Sequence, residues 1–552
     1  MRDNSRSGAG VLSGKILSAV MLAVFVLFPL VRMFASMSRE SIRQVVSAPQ
    51  FPTAVKNSLI SASLATLIAV TLGLLAAVCL ERTAIRGKAV FTVLLTLPML
   101  IPSSSHGMGL ILLLGNNGML TRLLRLDGSI YGMKGIIVGS VLYAFPVAFL
   151  MLSDVMRYEN GAPYEAARVL GITAPRRFWR ITLPYLRKPI ISALFAVFSM
   201  VVTDYGVPVM IGGKCLTVSR VMYEEVIGQL NFGKGTVYGA FLLVPAVLAF
   251  VADIVCRSAE ASVSTSTPIA RNAGRSARLG AYLFCGALSA FILLPLLLSV
   301  LMAFTKGYPT DLHPSLDVLH EAFRMGAGKY LGNSVVIALL TSLLGTVLAF
   351  ALSYTTARMR SPLSSVLHLC SITSAAIPGI VLGLSYILAF KGSFLYGTLA
   401  ILIAVNTVHF FASPYLMCYN SLSKQGMELE AVGATLGISR WRMVCDVILP
   451  RSIGTLLEMF SYFFVNCMMT ISAVSFLADS RHKPVALMIN QFQDLRKLEA
   501  AALVSVLILI VNLLLRGAVN LLRHRLAGGS SRRSSGKKSE KEALYESDQT
   551  AI

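Results

Sequence analysis

Glu165-Ala166-Ala167-Arg168-Val169-Leu170-Gly171, followed by Ile181-Thr182-Leu183-Pro184, is the stretch whose reading decides the fold. Ala and Leu favour helix, and Gly171 stands where a helix can end. Pro184 is expected to break the chain before the apolar run that follows. The stretch predicts a short helix with an alanine face, flanked by Arg176, Arg177 and Arg180. Small side chains admit a partner's surface at close range, and the charges can orient it. One copy would suit a plain connecting loop. A second copy stands downstream, as Glu430-Ala431-Val432-Gly433-Ala434-Thr435-Leu436-Gly437 with Val447-Ile448-Leu449-Pro450.

Around these loops the chain is apolar. Of 552 residues, 55% are hydrophobic and 14% charged, and the mean hydropathy is +0.71. Soluble domains carry about 25% charged residues. A membrane span needs roughly 20 mostly apolar residues, and on that ruler twelve segments stand out. Six lie near 15–35, 56–80, 89–114, 134–156, 189–212 and 236–257. Six more lie near 279–303, 331–356, 363–390, 396–420, 452–477 and 499–523. Residues 258–278 have linker composition, and 526–552 read as a disordered, basic cytoplasmic tail. The first run, Ile16 to Val31, is expected to stay as an uncleaved helix, since no convincing small-residue cleavage site follows it.

The net charge of +23 lies mostly in short segments between apolar runs and in the tail. Such placement suits the cytoplasmic loops of a membrane protein and argues against nucleic-acid binding. With the N-terminus inside, the loop from Arg157 to Lys188 and the short loops holding Arg82, Arg86 and Lys88, and Arg358 and Arg360, are cytoplasmic. Arg32, Arg39, Arg43 and Lys56 then fall outside, against the trend. The eight cysteines form no C-x-x-C pair, which argues against a disulfide scaffold or structural metal.

The two halves repeat. Asn57-Ser58 recurs as Asn333-Ser334, with 333 − 57 = 276, and Ile101-Pro102 recurs as Ile377-Pro378 at the same offset. Leu170-Gly171 recurs as Leu436-Gly437, with 436 − 170 = 266, and Leu183-Pro184 as Leu449-Pro450, again at 266. Four matches in order predict a tandem duplication of a six-span unit: 1–257, a linker 258–278, then 279–525. Six is even, so the halves are parallel.

E-A-A, three residues to G, then I-x-L-P, resembles the signature of binding-protein-dependent ABC importer permeases. The resemblance implies an all-α polytopic membrane protein of the type I importer fold, about 12 helices in two six-helix repeats. It implies a multi-pass bacterial inner-membrane protein with both termini cytoplasmic. Its partners would be two copies of a cytoplasmic ABC ATPase, an extracytoplasmic substrate-binding protein and the lipid bilayer. Carried over by residue, Glu165, Ala166, Ala167 and Gly171 would form a coupling helix seated on the ATPase, with Pro184 closing the loop. The second loop departs: aligned on Gly437, Ala431 stands opposite Glu165, Glu430 falls one position early, and Val432 and Gly433 replace the alanines. Pro450 keeps the frame. The chain has no G-x-x-x-x-G-K-[ST] loop, so it is read as no enzyme and as holding no cofactor, with ATP used by the partner.

Within that family the fused form resembles the ferric-iron and 2-aminoethylphosphonate permeases, and its likeness to the phosphonate members is the closer. The carrying stretches are Thr203-Asp204-Tyr205-Gly206-Val207-Pro208, Glu225-Val226-Ile227-Gly228, Asn231-Phe232-Gly233, and Thr470 to Leu477. Polar groups inside spans are functional candidates, and Asp204, Tyr205 and Ser472 are taken as pathway residues. Glu458 is expected to snorkel, Asn57 and Asn333 to cap helices or bridge them, and His106 and His409 to make no metal site. A secondary active transporter with twelve spans is the alternative, but it leaves the paired loops unexplained.

Overall fold

The computed structural model describes residues 15–125, 129–257, 274–307, 311–359, 361–426 and 428–549, with the side chains of 256, 257, 306, 307, 312, 434 and of all residues from 527 onward excepted. The linker assigned to 258–278 lies mostly outside the described residues; its end opens the helix Arg275–Ala303. The architecture is helical, with one addition. The strands Thr305–Gly307 and Asp311–Pro314 form a small antiparallel pair.

Eight helices are long and apolar enough to cross a bilayer, and up to eleven if three bent pairs are each one span. Two of the three bends fall where the sequence repeats. Lys88–Leu100 meets Ser103–Leu123 at 103°, and Pro362–Ala376 meets Gly379–Phe390 at 108°. The hinges are Ile101-Pro102 and Ile377-Pro378. Proline forces its predecessor out of the α region, so Ile101 and Ile377 are extended. The third and ninth expected spans are therefore broken, not straight. The eleventh expected segment is the helix Leu449–Met469, which stops before Thr470.

The helix Leu498–Gln549 continues well past 526, where the Gly-Ser-Arg-Lys composition predicts no element. Extending an existing helix avoids the cost of nucleating one. Glu458 pairs with Arg523 of this helix at 2.8 Å, so it meets a partner span as well as the interface.

Each half lends its first span to the other. The N-terminal span Lys15–Ala35 packs on the second half. There Tyr386 donates to the Phe25 carbonyl at 2.7 Å, and Lys15 reaches the Met359 carbonyl and Ser361, both at 2.9 Å. Arg275–Ala303 packs on the first half, where the Arg86 amide donates to the Tyr282 hydroxyl at 2.7 Å. Glycine makes the closest approaches possible: a Cβ on Gly109 would stand 2.8 Å from Pro295 of that exchanged helix.

Within the first half, Gln50–Arg82 lies against Met133–Arg157. A Cβ on Gly73 would meet the Phe149 amide nitrogen at 2.9 Å and the Ala148 carbonyl carbon at 3.1 Å. Backbone cannot swing aside as a side chain can. Gly73→Val is expected to cost about 1–3 kcal/mol, read as a lower thermal unfolding midpoint in detergent. An unchanged midpoint would contradict this packing.

Asn57 and Asn333 bridge rather than cap. Asn57 donates to the Leu216 carbonyl at 3.0 Å, and Ser58 accepts from the Val218 amide at 2.8 Å. In the second half Asn333 donates to the Arg481 carbonyl at 2.8 Å, and Ser334 accepts from the Val485 amide at 2.7 Å. The repeated pair thus ties one span start to the segment beyond the fifth span of its half.

Candidate coupling loops and translocation cavity

The first loop forms the helix Ala162–Val169, started by Asn160, whose side-chain oxygen accepts from the Ala162 amide at 3.1 Å. Gly171 ends it at φ +69, with the Gly171 amide bonded to the Arg168 carbonyl at 3.0 Å and the Ile172 amide to the Ala167 carbonyl at 2.9 Å. That is a Schellman termination. The second loop repeats it: Glu428–Thr435 is helix, Gly437 sits at φ +68, and the Ile438 amide bonds the Gly433 carbonyl at 2.9 Å.

Pro184 and Pro450 do not break the chain. A π turn, Phe178–Thr182, leads into Leu183–Thr203, and Val444–Ile448 leads likewise into Leu449–Met469. Proline clashes with the carbonyl four residues back and lacks an amide donor. A π turn widens the ladder there, and the helix runs through.

Glu165 and Ala166 are exposed, and Ala167 is buried beneath them. Val169 and Leu170 are bare to 88% and 75%. On the second loop Val432 and Leu436 are exposed, and Gly433 is buried. Gly433 stands where the first loop has Ala167; a Cβ there would lie 2.2 Å from Met443 Cε, the end of a flexible side chain that can swing aside. Exposed apolar side chains in a line, beyond the ends of the spans, suit a protein partner.

What holds each helix in place was not foreseen. Arg82 ends the span Gln50–Arg82, and Arg358 ends Ala327–Arg358; 358 − 82 = 276, the repeat offset. Arg82 pairs with Glu159, whose other oxygen accepts from Tyr164 at 2.6 Å, and its guanidinium lies 4.9 Å from the Tyr164 ring centroid. Tyr164 also bonds Thr182 at 2.7 Å. Arg358 pairs with Glu430 through both ends of its fork, one bond at 2.6 Å. It also donates to the carbonyls of Leu422 at 3.2 Å, Gln425 at 2.6 Å and Gly426 at 2.9 Å.

Since 430 − 164 = 266, Glu430 occupies the place of Tyr164, not of Glu165. The one-residue shift of the acid thus has a physical reason. In the first half a separate glutamate, Glu159, neutralises the arginine; in the second, Gln425 stands at its counterpart (425 − 159 = 266) and Glu430 does that work. The sequence signal was the arginine pair at the repeat offset.

A cavity of about 440 Å³ opens between the halves. Both Ile-Pro hinges line it, with Asp204, Asp253, His409, Asn466 and Ser472 among its polar groups. Leu183–Thr203 ends where Asp204 turns extended, and its carboxylate accepts from the Val207 amide at 3.0 Å and the Gly206 amide at 3.3 Å. It caps the short helix Gly206–Ile211 while fronting the cavity. The Ser192 hydroxyl donates to Asp253. Ser472 stands against Gly379, whose Cβ would sit 2.3 Å from its hydroxyl. Lys and Arg are absent from this lining among the described residues.

Tyr205 is not among the residues that line this cavity. It is fully buried at the seam, with its hydroxyl 2.5 Å from Ser475 Oγ and its ring 4.7 Å from that of Tyr223. The chain turns sharply at Asp204, so adjacent side chains diverge. His409 lines the cavity and His106 does not; His106 Nδ1 lies 3.2 Å from the Pro102 carbonyl. No group of three metal-binding side chains occurs among the described residues.

Comparisons with known proteins give the family of the chain. The family described as "Binding-protein-dependent transport system inner membrane component" matches at residues 69–265 and 342–528. The chain is 23% identical over 488 residues to "Putative ferric transport system permease protein FbpB 1" of Haemophilus influenzae, covering 84% of this chain and 77% of that one. It is 24% identical over 525 residues to "Ferric transport system permease protein FbpB" of Actinobacillus pleuropneumoniae, covering 90% and 76%. Among solved structures, a bacterial alginate ABC transporter in complex with alginate pentasaccharide-bound periplasmic protein matches at TM-score 0.39 and 19% identity. The match covers 47% of this chain and 95% of that one.

Proposed function

The chain belongs to the binding-protein-dependent transport system inner membrane component family, and from that premise we propose that it carries ferric iron. As a family member it is the multi-pass permease of an ABC importer, a transport subunit and not an enzyme. The secondary-transporter alternative is thereby excluded. In this reading each loop seats one copy of a cytoplasmic ATPase, both termini face the cytoplasm, and the cavity is the path. ATP binding draws the two ATPases together, moves both loops, and tips the halves from inward-open to outward-open; hydrolysis resets them. ATP itself is bound by the partner.

The observation that supports the cargo is the cavity's lining: the carboxyl groups of Asp204 and Asp253 stand in it without any Lys or Arg among the described residues. Carboxyl oxygens are ligands for a hard cation and offer an anion no favourable partner. A phosphonate group would find no cationic side chain in the lining. The names of the two relatives, both ferric transport permeases, support the same choice.

The test is uptake of radiolabelled ferric iron and of 2-aminoethylphosphonate by cells expressing the complete transporter. Iron uptake is expected, with Asp204→Asn lowering it about tenfold, equivalent to about 1.4 kcal/mol. Asn keeps the capping geometry and loses one carboxyl oxygen. Uptake of the phosphonate alone, or iron uptake indifferent to both Asp204→Asn and Asp253→Asn, would sink the assignment.

A further inference from the structure

We propose that the face of the first half opposite the coupling loops docks an acidic surface of the binding protein, making docking polar across the two halves. This rests on the importer reading above and on its orientation. The outward segments 32–56, 115–134 and 212–234 hold ten basic residues against four acidic ones. The corresponding segments of the second half, 304–332, 391–400 and 478–499, hold eight against six.

The excess is exposed and uncommitted. Arg39, Arg43, Lys56, Arg122, Lys134 and Lys214 are all exposed. The ion pairs of this face among the described residues, Arg220 with Glu224 at 2.7 Å and Lys234 with Glu225 at 3.5 Å, use other side chains. The fold gathers the segments together. Asn57 bonds the Leu216 carbonyl at 3.0 Å, the Gly132 amide bonds the Ile211 carbonyl at 3.0 Å, and Val45 buries the inner face of the helix Arg39–Ser47. Glu40 is the opposing acid on that helix, and it accepts from Gln44 at 2.7 Å.

The repeat supplies an internal comparison. At the offsets of 276 and 266, Arg39, Arg43, Lys56 and Lys134 correspond to Ser315, Leu319, Gly332 and Ala400, none of them charged. Both halves face the same leaflet and the same lipid headgroups. Lipid attraction alone gives no reason for the larger net charge of the first half, 10 − 4 = +6 against 8 − 6 = +2, and insertion bias acts against cations outside on either. A partner that offers the two halves different surfaces accounts for both facts. Complementary charge across such a contact acts chiefly on the association rate and is screened by salt.

The test uses the complete permease–ATPase complex in nanodiscs of zwitterionic lipid, titrated with its purified binding protein and read by stimulated ATP hydrolysis. The triple variant Arg39→Gln, Arg43→Gln, Lys56→Gln is expected to raise the half-maximal binding-protein concentration about tenfold at low salt. It is also expected to flatten the salt dependence while leaving unstimulated hydrolysis unchanged. The second-half triple Arg324→Gln, Lys329→Gln, Arg481→Gln is expected to shift it far less. Equal shifts from both triples, or none from the first, would overturn the proposal. A shift seen only in discs of anionic lipid would assign the cations to headgroups and overturn it too. A wild-type complex that no binding protein stimulates would instead refute the importer reading itself.

Discussion

Arg358→Ala is expected to abolish most ATP-driven uptake, a loss of at least about tenfold, while the chain still inserts. The Arg358 side chain is 2% exposed. Its fork holds Glu430 of the second loop's helix, proposed above to seat the ATPase, and the carbonyls of Leu422, Gln425 and Gly426, which lead into that helix. Removing it takes the donor from the Glu430 carboxylate and from the Gln425 and Gly426 carbonyls, while the Leu422 carbonyl keeps its bond from the Gln425 amide at 3.2 Å. Breaking a fully buried pair from one side costs about 3–5 kcal/mol, and the cost here is smaller because the Glu430 side chain is 29% exposed. A rigid link between the helix and the span Ala327–Arg358 becomes a loose one, and movement of the ATPase is no longer passed to the cavity walls.

The measurement is the ratio of cargo moved to ATP hydrolysed in proteoliposomes. Arg358→Lys should recover only part, because a point charge cannot bridge both carboxylate oxygens and the carbonyls. Arg82→Ala is expected to do less harm, since Arg82 is 14% exposed and Tyr164 keeps its bond to Thr182. An Arg358→Ala protein with wild-type coupling would refute the anchor.

The second large effect is expected from Gly171→Val combined with Gly437→Val. Both glycines hold a positive φ, near +69 and +68. An L side chain there costs about 1–2 kcal/mol, and a β-branched one sits at the upper end. Nothing lies within 4 Å of a Cβ at either position. The cost is therefore conformational and local, so insertion and thermal midpoint should stay close to wild type. The helix ends would splay and the exposed Val169–Leu170 and Leu436 surfaces would turn away from the ATPase. Co-purification of the ATPase is expected to fall, with uptake down about tenfold. Gly→Asn at both sites should be tolerated, since Asn adopts the left-handed conformation readily. If the valine variant transports normally, the loops do not couple.

Several readings rested on local rules and needed only local rules. The Gly171 and Gly437 terminations follow from the helix-stop pattern, and the structure places both at positive φ. Pro184 and Pro450 show where a local rule stops. Taken alone each proline predicts a break, yet a preceding π turn carries the helix through. As a polar side chain in a span Tyr205 reads as a pathway candidate, and the sharp turn at Asp204 places it at the seam between halves.

The amino-acid sequence by itself determined the class of machine: apolar runs of span length, a tandem repeat at offsets 276 and 266, and two short loops ending in Gly and Leu-Pro. Each of these is a statement about neighbours along the chain, and hydropathy and helix stops act between neighbours. The tertiary structure decided what depends on distant partners. It exchanged the first spans, bent the chain at Ile101-Pro102 and Ile377-Pro378, and set Asp204 and Asp253 on one cavity. It also joined Arg82 to Glu159 across 77 residues and Arg358 to Glu430 across 72. Contacts at such separations leave no period in a sequence, because only packing brings the two segments together.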